Sequence, residues 1–210
     1  GGGSYSASQS SASNLTVNPV VTSISADATK ATGTCTVATG SIILGEPVVL
    51  TAIIIGAALP GGRTIGGTVE FRDASAANAL LGTATVVPNL AGGSATLCVY
   101  TSPTGVGAGT HAVSASFVST SADYASSNTT SNASLVVEKI TTATAVTLGA
   151  TTVAEGGSLA LSATVAPASG MPYVGALTGN VEFRAGYASE SSLGTLLATG
   201  FAGLLGWHLH

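Results

Sequence analysis

The sequence predicts an all-β protein built as a two-sheet sandwich that repeats along the chain. Three observations carry this reading. Helix patterns are almost missing, with few Glu, Lys, Gln or Arg residues and no sustained apolar stripe at i, i+3, i+4 spacing. Short β-branched runs alternate instead with Gly, Pro, Asn and Ser clusters. One stretch also occurs twice: GGTVEFRD at 66–73 returns as TGNVEFRA at 178–185, 112 positions later.

The central unit reads as seven strands. A leading strand is expected around 36–43, and PVVLTAIII (47–55) forms a buried strand after it. In GTVEFR (67–72), period two turns Val69 and Phe71 inward and Glu70 and Arg72 outward. LLGTATVV (80–87) is a shorter strand. SATLCVY (94–100) points Ala95, Leu97 and Val99 one way and Thr96, Cys98 and Tyr100 the other. THAVSASF (110–117) turns Val113, Ala115 and Phe117 to one face, and SLVVEK (134–139) closes the unit. Seven short alternating strands in about 100 residues are the pattern of an immunoglobulin-like sandwich.

The pattern then restarts. TATAVTL (142–148) leads, GGSLALSATV (156–165) matches GEPVVLTAII (45–54), GNVEFR (179–184) matches GTVEFR, and SLGT (192–195) matches LLGT (80–83). After that the pattern is lost, and the tail GFAGLLGWHLH does not continue it. At the front, SASNLTVNP (11–19) resembles SNASLVVEK (131–139). The expected organisation is therefore one complete sandwich over 20–139, the closing strand of a preceding unit over 1–19, and the truncated first part of a following unit over 140–210. The opening GGGSYSASQSSAS carries no initiator Met, basic segment or cleavage site, so a window cut from a longer protein is expected.

The segments GEPVVLTA, GTVEFRD, LLGTATV, GSATL, GAGTHAVSASF and DYASSNTTSNASLVV together resemble the bacterial immunoglobulin-like domain repeats of large surface and secreted proteins. The central unit covers that pattern from about residue 36 to 138, and the next covers its first half. The resemblance implies immunoglobulin-like β-sandwich repeats, one complete and one or two partial. It implies spacing, adhesion or display at the cell surface, and it brings no catalytic residue. The chain departs from the pattern in one internal place. The span from Asn18 to Gly45 is about nine residues longer than its equivalent in the next unit, and this insertion carries Cys35.

Composition excludes several partners. Charged residues are 7 % of the chain, against about 25 % in an ordinary soluble domain. The net charge is −4, and Lys30, Arg63, Arg72, Lys139 and Arg184 stand singly. Nucleic acid needs a basic stripe to displace its counterions, and none exists. The same scatter offers nothing to an anionic membrane surface. The apolar runs 48–59 and 196–207 are shorter than the ~20 residues a spanning helix needs, so no membrane insertion is expected.

Few residues invite chemistry. Cys35 and Cys98 are a possible disulfide, which would pin the insertion onto an outer face and contribute roughly 3–4 kcal/mol. The Ser/Thr-rich, charge-poor composition points to an oxidising extracellular setting, while two free thiols or a bridge to another chain are the alternatives. His111 reads as a rim residue of a strand with one satisfied ring nitrogen. His208 and His210 share a face if extended, without a carboxylate or Cys nearby to make a metal site. Glu70 and Glu182 are each followed two residues later by Arg, an exposed same-face pair contributing under ~1 kcal/mol. Asp73 and Asp123 invite a calcium reading, but acids are too sparse for it. A glycosidase needs two carboxylates across a cleft, and neither these residues nor Glu190 supply that. Phosphate-binding, dinucleotide and nucleophile-elbow motifs are absent. The sequons at Asn14, Asn128 and Asn132 are frequent by chance in such a chain. No catalytic, metal or cofactor site is expected.

The leading expectation is a non-catalytic spacer or stalk, or adhesive surface, in an extracellular or cell-surface protein. Its partners would be neighbouring repeats in the same chain and other copies met through exposed strand edges. Two alternatives are an extracellular filament subunit joined by β-strand exchange, and a carbohydrate-binding accessory module of a secreted enzyme. The rings available to the latter, Tyr100, Tyr124, Tyr173, Tyr187 and Trp207, are not clustered in sequence.

Overall fold

Strand β3 (Pro47–Gly56) shows the rule on which the fold is built. Its even residues Val48, Leu50, Ala52 and Ile54 are at most 1 % exposed, while Ile53 and Ile55 on the other face are 51 % and 60 % exposed. A period of two thus assigns one face of each strand to the core. The computed structural model of the chain describes residues 3, 9–89, 92–172, 175–185, 195–201 and 207–209. The described residues are all-β and contain no helix.

Residues 20–138 form a two-sheet sandwich. One sheet runs β1-β3-β7-β6, with β1 at Thr22–Lys30, β7 at Gly92–Tyr100 and β6 at Val87–Asn89. The other runs β2-β10-β8-β4-β5, with β2 at Ile42–Ile43, β10 at Ala133–Glu138, β8 at Gly109–Ser119, β4 at Gly67–Asp73 and β5 at Ala79–Thr85. A short β9 (Ser127–Asn128) adds to β8. All pairs are antiparallel except β2 with β10, which are parallel. The core packs Val48, Leu50, Ala52 and Ile54 of the first sheet and Val69, Phe71, Val113, Phe117, Leu135 and Val137 of the second into one cluster. Full burial of each larger side chain stabilises the fold by about 1.5–3 kcal/mol.

A second group of strands follows. One sheet runs β11-β12-β15, from Thr142–Leu148, Leu159–Pro167 and Trp207–Leu209, and a separate pair joins β13 (Asn180–Ala185) to β14 (Thr195–Phe201). Of its described residues only Leu161 and Phe183 reach the burial common in the first sandwich, and Val146 and Leu148 stay half exposed.

Several expected elements differ. The strand expected around 36–43 is only the two-residue β2, and the long first strand is β1, which lies in the Asn18–Gly45 span ahead of the inserted turn that carries Cys35. The run 80–87 is not one strand: β5 ends at Thr85, β6 begins at Val87, and the chain changes sheet at buried Val86. Residues 9–19, which hold the closing strand expected of a preceding unit, are exposed and make no strand pairing within this chain, while 1–2 and 4–8 lie outside the described residues. The match of SLGT (192–195) to LLGT is four residues out of register. Opposite Arg184, Phe183 and Glu182 stand Leu196, Ala198 and Thr199, as Leu80, Gly82 and Thr83 stand opposite Arg72, Phe71 and Glu70. Within the tail, Trp207–Leu209 pairs with β12; residues 202–206 and 210 lie outside the described residues.

Candidate functional site

Beyond the polar residues on the outer strand faces, linked clusters of polar side chains lie at the two ends of the sandwich. At the end where β10 runs out, β4 delivers Asp73 and β8 delivers His111, two residues from Asp73's ladder partner Val113. Asp73 is 2 % exposed. Its Oδ1 accepts hydrogen bonds from the Ser75 amide at 3.0 Å and the Ser75 hydroxyl at 2.5 Å. Its Oδ2 lies 2.6 Å from His111 Nδ1, and His111 Nε2 lies 2.9 Å from the Gly107 carbonyl. Both facing groups accept, so a full hydrogen bond at each needs a proton on both ring nitrogens. Burial pushes the Asp73 carboxyl up, but the Ser75 hydroxyl, the His111 ring and the Ser75 amide outweigh it and hold it below the ordinary range.

A second cluster shares this end. Lys30 Nζ, at the close of β1, lies 2.8 Å from both Glu46 carboxylate oxygens and donates to the Ser41 carbonyl. Glu46 Oε2 also accepts from the Ile43 amide. Burial raises the Glu46 carboxyl, and the Lys30 hydrogen bond, the Ile43 amide and the Lys30 charge together bring it below its ordinary value. Thr101, 2 % exposed, donates its hydroxyl to the Glu46 carbonyl at 2.8 Å and accepts from the Gly45 amide at 2.8 Å. The Leu44 amide donates to the Glu138 carbonyl, tying the end of β10 to the same knot.

At the opposite end Arg63 Nη1 pairs with Asp123 at 2.5 Å, and the Tyr124 hydroxyl donates to the carbonyls of Ala57 and Arg63. The Val20 amide donates to the Asp123 carbonyl, fastening the entry of the chain.

The third feature is the insertion. After β1 the chain turns back on itself: Ala31 pairs with Val37, and Cys35 sits in the turn with φ 60°. Its sulfur is bonded to Cys98 of β7 with Cα atoms 5.8 Å apart. The Tyr100 hydroxyl donates to the Gly33 carbonyl at 3.0 Å, a second tie from the same face of β7 to the same turn. Cys98 stands opposite Val49, which is 2 % exposed although it faces away from the main core. The cross-linked turn thus belongs to the outer face of the first sheet, not between the sheets.

The remaining candidates separate cleanly. Glu70 and Arg72 pair at 3.0 Å, and Glu182 and Arg184 at 2.6 Å, each partly exposed. Asp73 and Asp123 lie at opposite ends of the β4–β8 ladder, so they do not converge on a cation. Among the described residues no group of three His, Cys, Asp or Glu side chains does so. His111 departs from the expectation of one satisfied nitrogen, since both are engaged. Sequence reasoning missed its partner because Asp73 is 38 positions away and only the β4–β8 register unites them. It also missed the Lys30–Glu46–Thr101 knot, whose one visible signal was charge at the edge of a buried strand in a charge-poor chain. Tyr124 is buried, while Tyr100 stays exposed with its hydroxyl bonded to the Gly33 carbonyl. Tyr173, Tyr187, Glu190 and His210 lie outside the described residues.

Chemically, Asp73, Ser75 and His111 have the residue types of a nucleophilic triad without its order. In a triad the imidazole stands between hydroxyl and carboxylate; here the carboxylate stands between the other two. The Ser75 hydroxyl donates its hydrogen bond to Asp73 rather than to the imidazole. The arrangement ties the β4–β5 turn and the loop before β8 together. No protein-family model matches the chain, and no curated protein matches it significantly.

Proposed function

We propose that the chain is a non-catalytic segment of immunoglobulin-like repeats from a bacterial surface or secreted protein, acting as a spacer or stalk. The strand order supports the fold. In such domains one sheet runs A-B-E-D and the other carries G-F-C, matching β1-β3-β7-β6 and β10-β8-β4. The observation that carries the reading is that the second strand group begins the same pairing again. Leu148 stands opposite Leu161 and Trp207 beyond it, as Ala28 stands opposite Leu50 and Leu97 beyond it. Both β4–β5 and β13–β14 carry a bulge directly after the Phe of the EFR motif. β10 ends at Glu138 and β11 starts at Thr142, a joint too short for a flexible linker. Labelling intact cells of the source organism with an antibody raised to the chain tests the location. Signal on intact cells or in the medium is expected, and signal only after lysis overturns it.

The filament alternative has one observation in its favour. Leu15 and Val17, which carry the L-x-V pattern of β10, are 87 % and 82 % exposed. Donation of that strand to another copy is a head-to-tail contact that propagates. Size-exclusion chromatography over a concentration series separates the two readings, since a monomer throughout removes the filament.

A further inference from the structure

We infer that the Cys35–Cys98 bridge is a mechanical shortcut, carrying tension past the middle of the first sandwich. The chain enters this sandwich beside Asp123 and Tyr124, where Val20 is fastened, and leaves it beside Leu44 and Glu46, where Glu138 is fastened. Tension on the chain therefore acts along the long axis, from β1 to β10. Cys35 lies immediately after β1, and Cys98 lies near the end of β7, before β8 and β10. A pull on β1 reaches Cys35, crosses to Cys98 and continues through β8 and β10.

The 63-residue separation closed by the bridge holds β2 to β6 and most of β7. Within that closed loop remain the β3–β7 and β4–β5 ladders, one from each sheet, with Leu50, Ile54, Val69 and Phe71 among their inward residues. Only β1 and the strands after β7 are stripped when the sandwich yields. The bridge comes from the insertion: Ala28 and Leu148 occupy matching register positions 120 apart, while Leu50 and Leu161 are 111 apart, so the second strand group is nine residues shorter there. It has no such shortcut. The biological use of the device rests on the stalk reading, whereas the device itself is a property of the chain.

The test is single-molecule stretching of the full chain through handles at its two ends, in oxidising buffer and again with dithiothreitol. At ~3.6 Å per extended residue, the fully stretched oxidised chain is expected to be about 230 Å shorter than the reduced one. The double variant Cys35→Ser, Cys98→Ser should give the long value in both buffers. Equal lengths in the two buffers for the unmutated chain, long or short, overturn the inference. So does an oxidised sandwich event that releases the whole span from Thr22 to Glu138. Neither result touches the stalk reading, which intact-cell labelling decides separately.

Discussion

His111 Nδ1 lies 2.6 Å from Asp73 Oδ2, a contact made by two strands whose residues are far apart in sequence. Asp73 is the better buried partner and takes three hydrogen bonds in all. Asp73→Ala leaves the half-buried His111 imidazole and the Ser75 amide, at an exposed turn residue, without their acceptor, and is expected to cost roughly 1–3 kcal/mol. Amide exchange in β4 and β8 reads this loss directly. A variant as stable as the parent would show that the cluster ties nothing together.

The same carboxylate sets a pH dependence. The folded Asp73 carboxyl lies below its ordinary value of 3.8. Its stabilisation is therefore complete above that value and is lost as the pH falls through the lower, folded one. Glu46 is depressed in the same sense and adds to the acid loss. Asp73→Asn removes only the first contribution. Its deficit relative to the parent should shrink from about pH 6 to about pH 2 in denaturant titrations; a constant deficit would rule out the ionised carboxylate as the cause.

How far the sequence could be read follows from side-chain size. β4, β7 and β8 were visible because Val, Leu and Phe alternate with small or polar residues, and β3 because its Val and Ile run is short and β-branched. β1 was not, because its inward residues beyond Ile24 are Ala26 and Ala28, which look like the Ser and Thr around them. The sheet change at Val86 was invisible because no Gly or Pro interrupts TATVV. The outward direction of Cys98 followed from alternation, but its partner's place depended on a turn that only packing reveals. The Asp73–His111 contact needed a register that no local pattern encodes.

Thr101 and Thr96 sit five positions apart and should respond very differently to Val. Thr101 is buried, and its hydroxyl both donates to Glu46 and accepts from Gly45. Replacing it by the isosteric Val leaves the Gly45 amide without its acceptor, while the Glu46 carbonyl keeps the bond from the Thr101 amide, at a cost of roughly 1–3 kcal/mol. Thr96 is exposed on β7, where Val should change stability by less than about 0.5 kcal/mol. Thermal unfolding of both variants checks the contrast, and equal shifts would remove the knot from the account.

The bridge should also show in stability. Closing a separation of 63 residues stabilises a fold by about 4 kcal/mol through the unfolded state. Reduction should lower the denaturation midpoint and raise amide exchange in the turn at 31–38, while β4–β8 stays protected under native conditions. Unchanged exchange in that turn would mean that the Tyr100–Gly33 hydrogen bond and the turn's own backbone bonds hold it without the sulfur.

Gly67 and Gly179 open the two EFR strands, with φ of 153° and 146°. Their surroundings differ. A Cβ at Gly67 would fall 2.2 Å from the Val118 carbonyl and 2.8 Å from the Phe117 ring, both on β8. A Cβ at Gly179 meets nothing within 4 Å, and among the described residues no strand pairs with that edge of β13. Gly67→Ala must push two adjacent core strands apart, at an expected cost above about 3 kcal/mol. Gly179→Ala carries only the backbone strain, about 1 kcal/mol. Exchange protection in β4 and β13 of the two variants distinguishes the terms. A large loss for Gly179→Ala would mean that a strand does cover β13 in solution, as β8 covers β4.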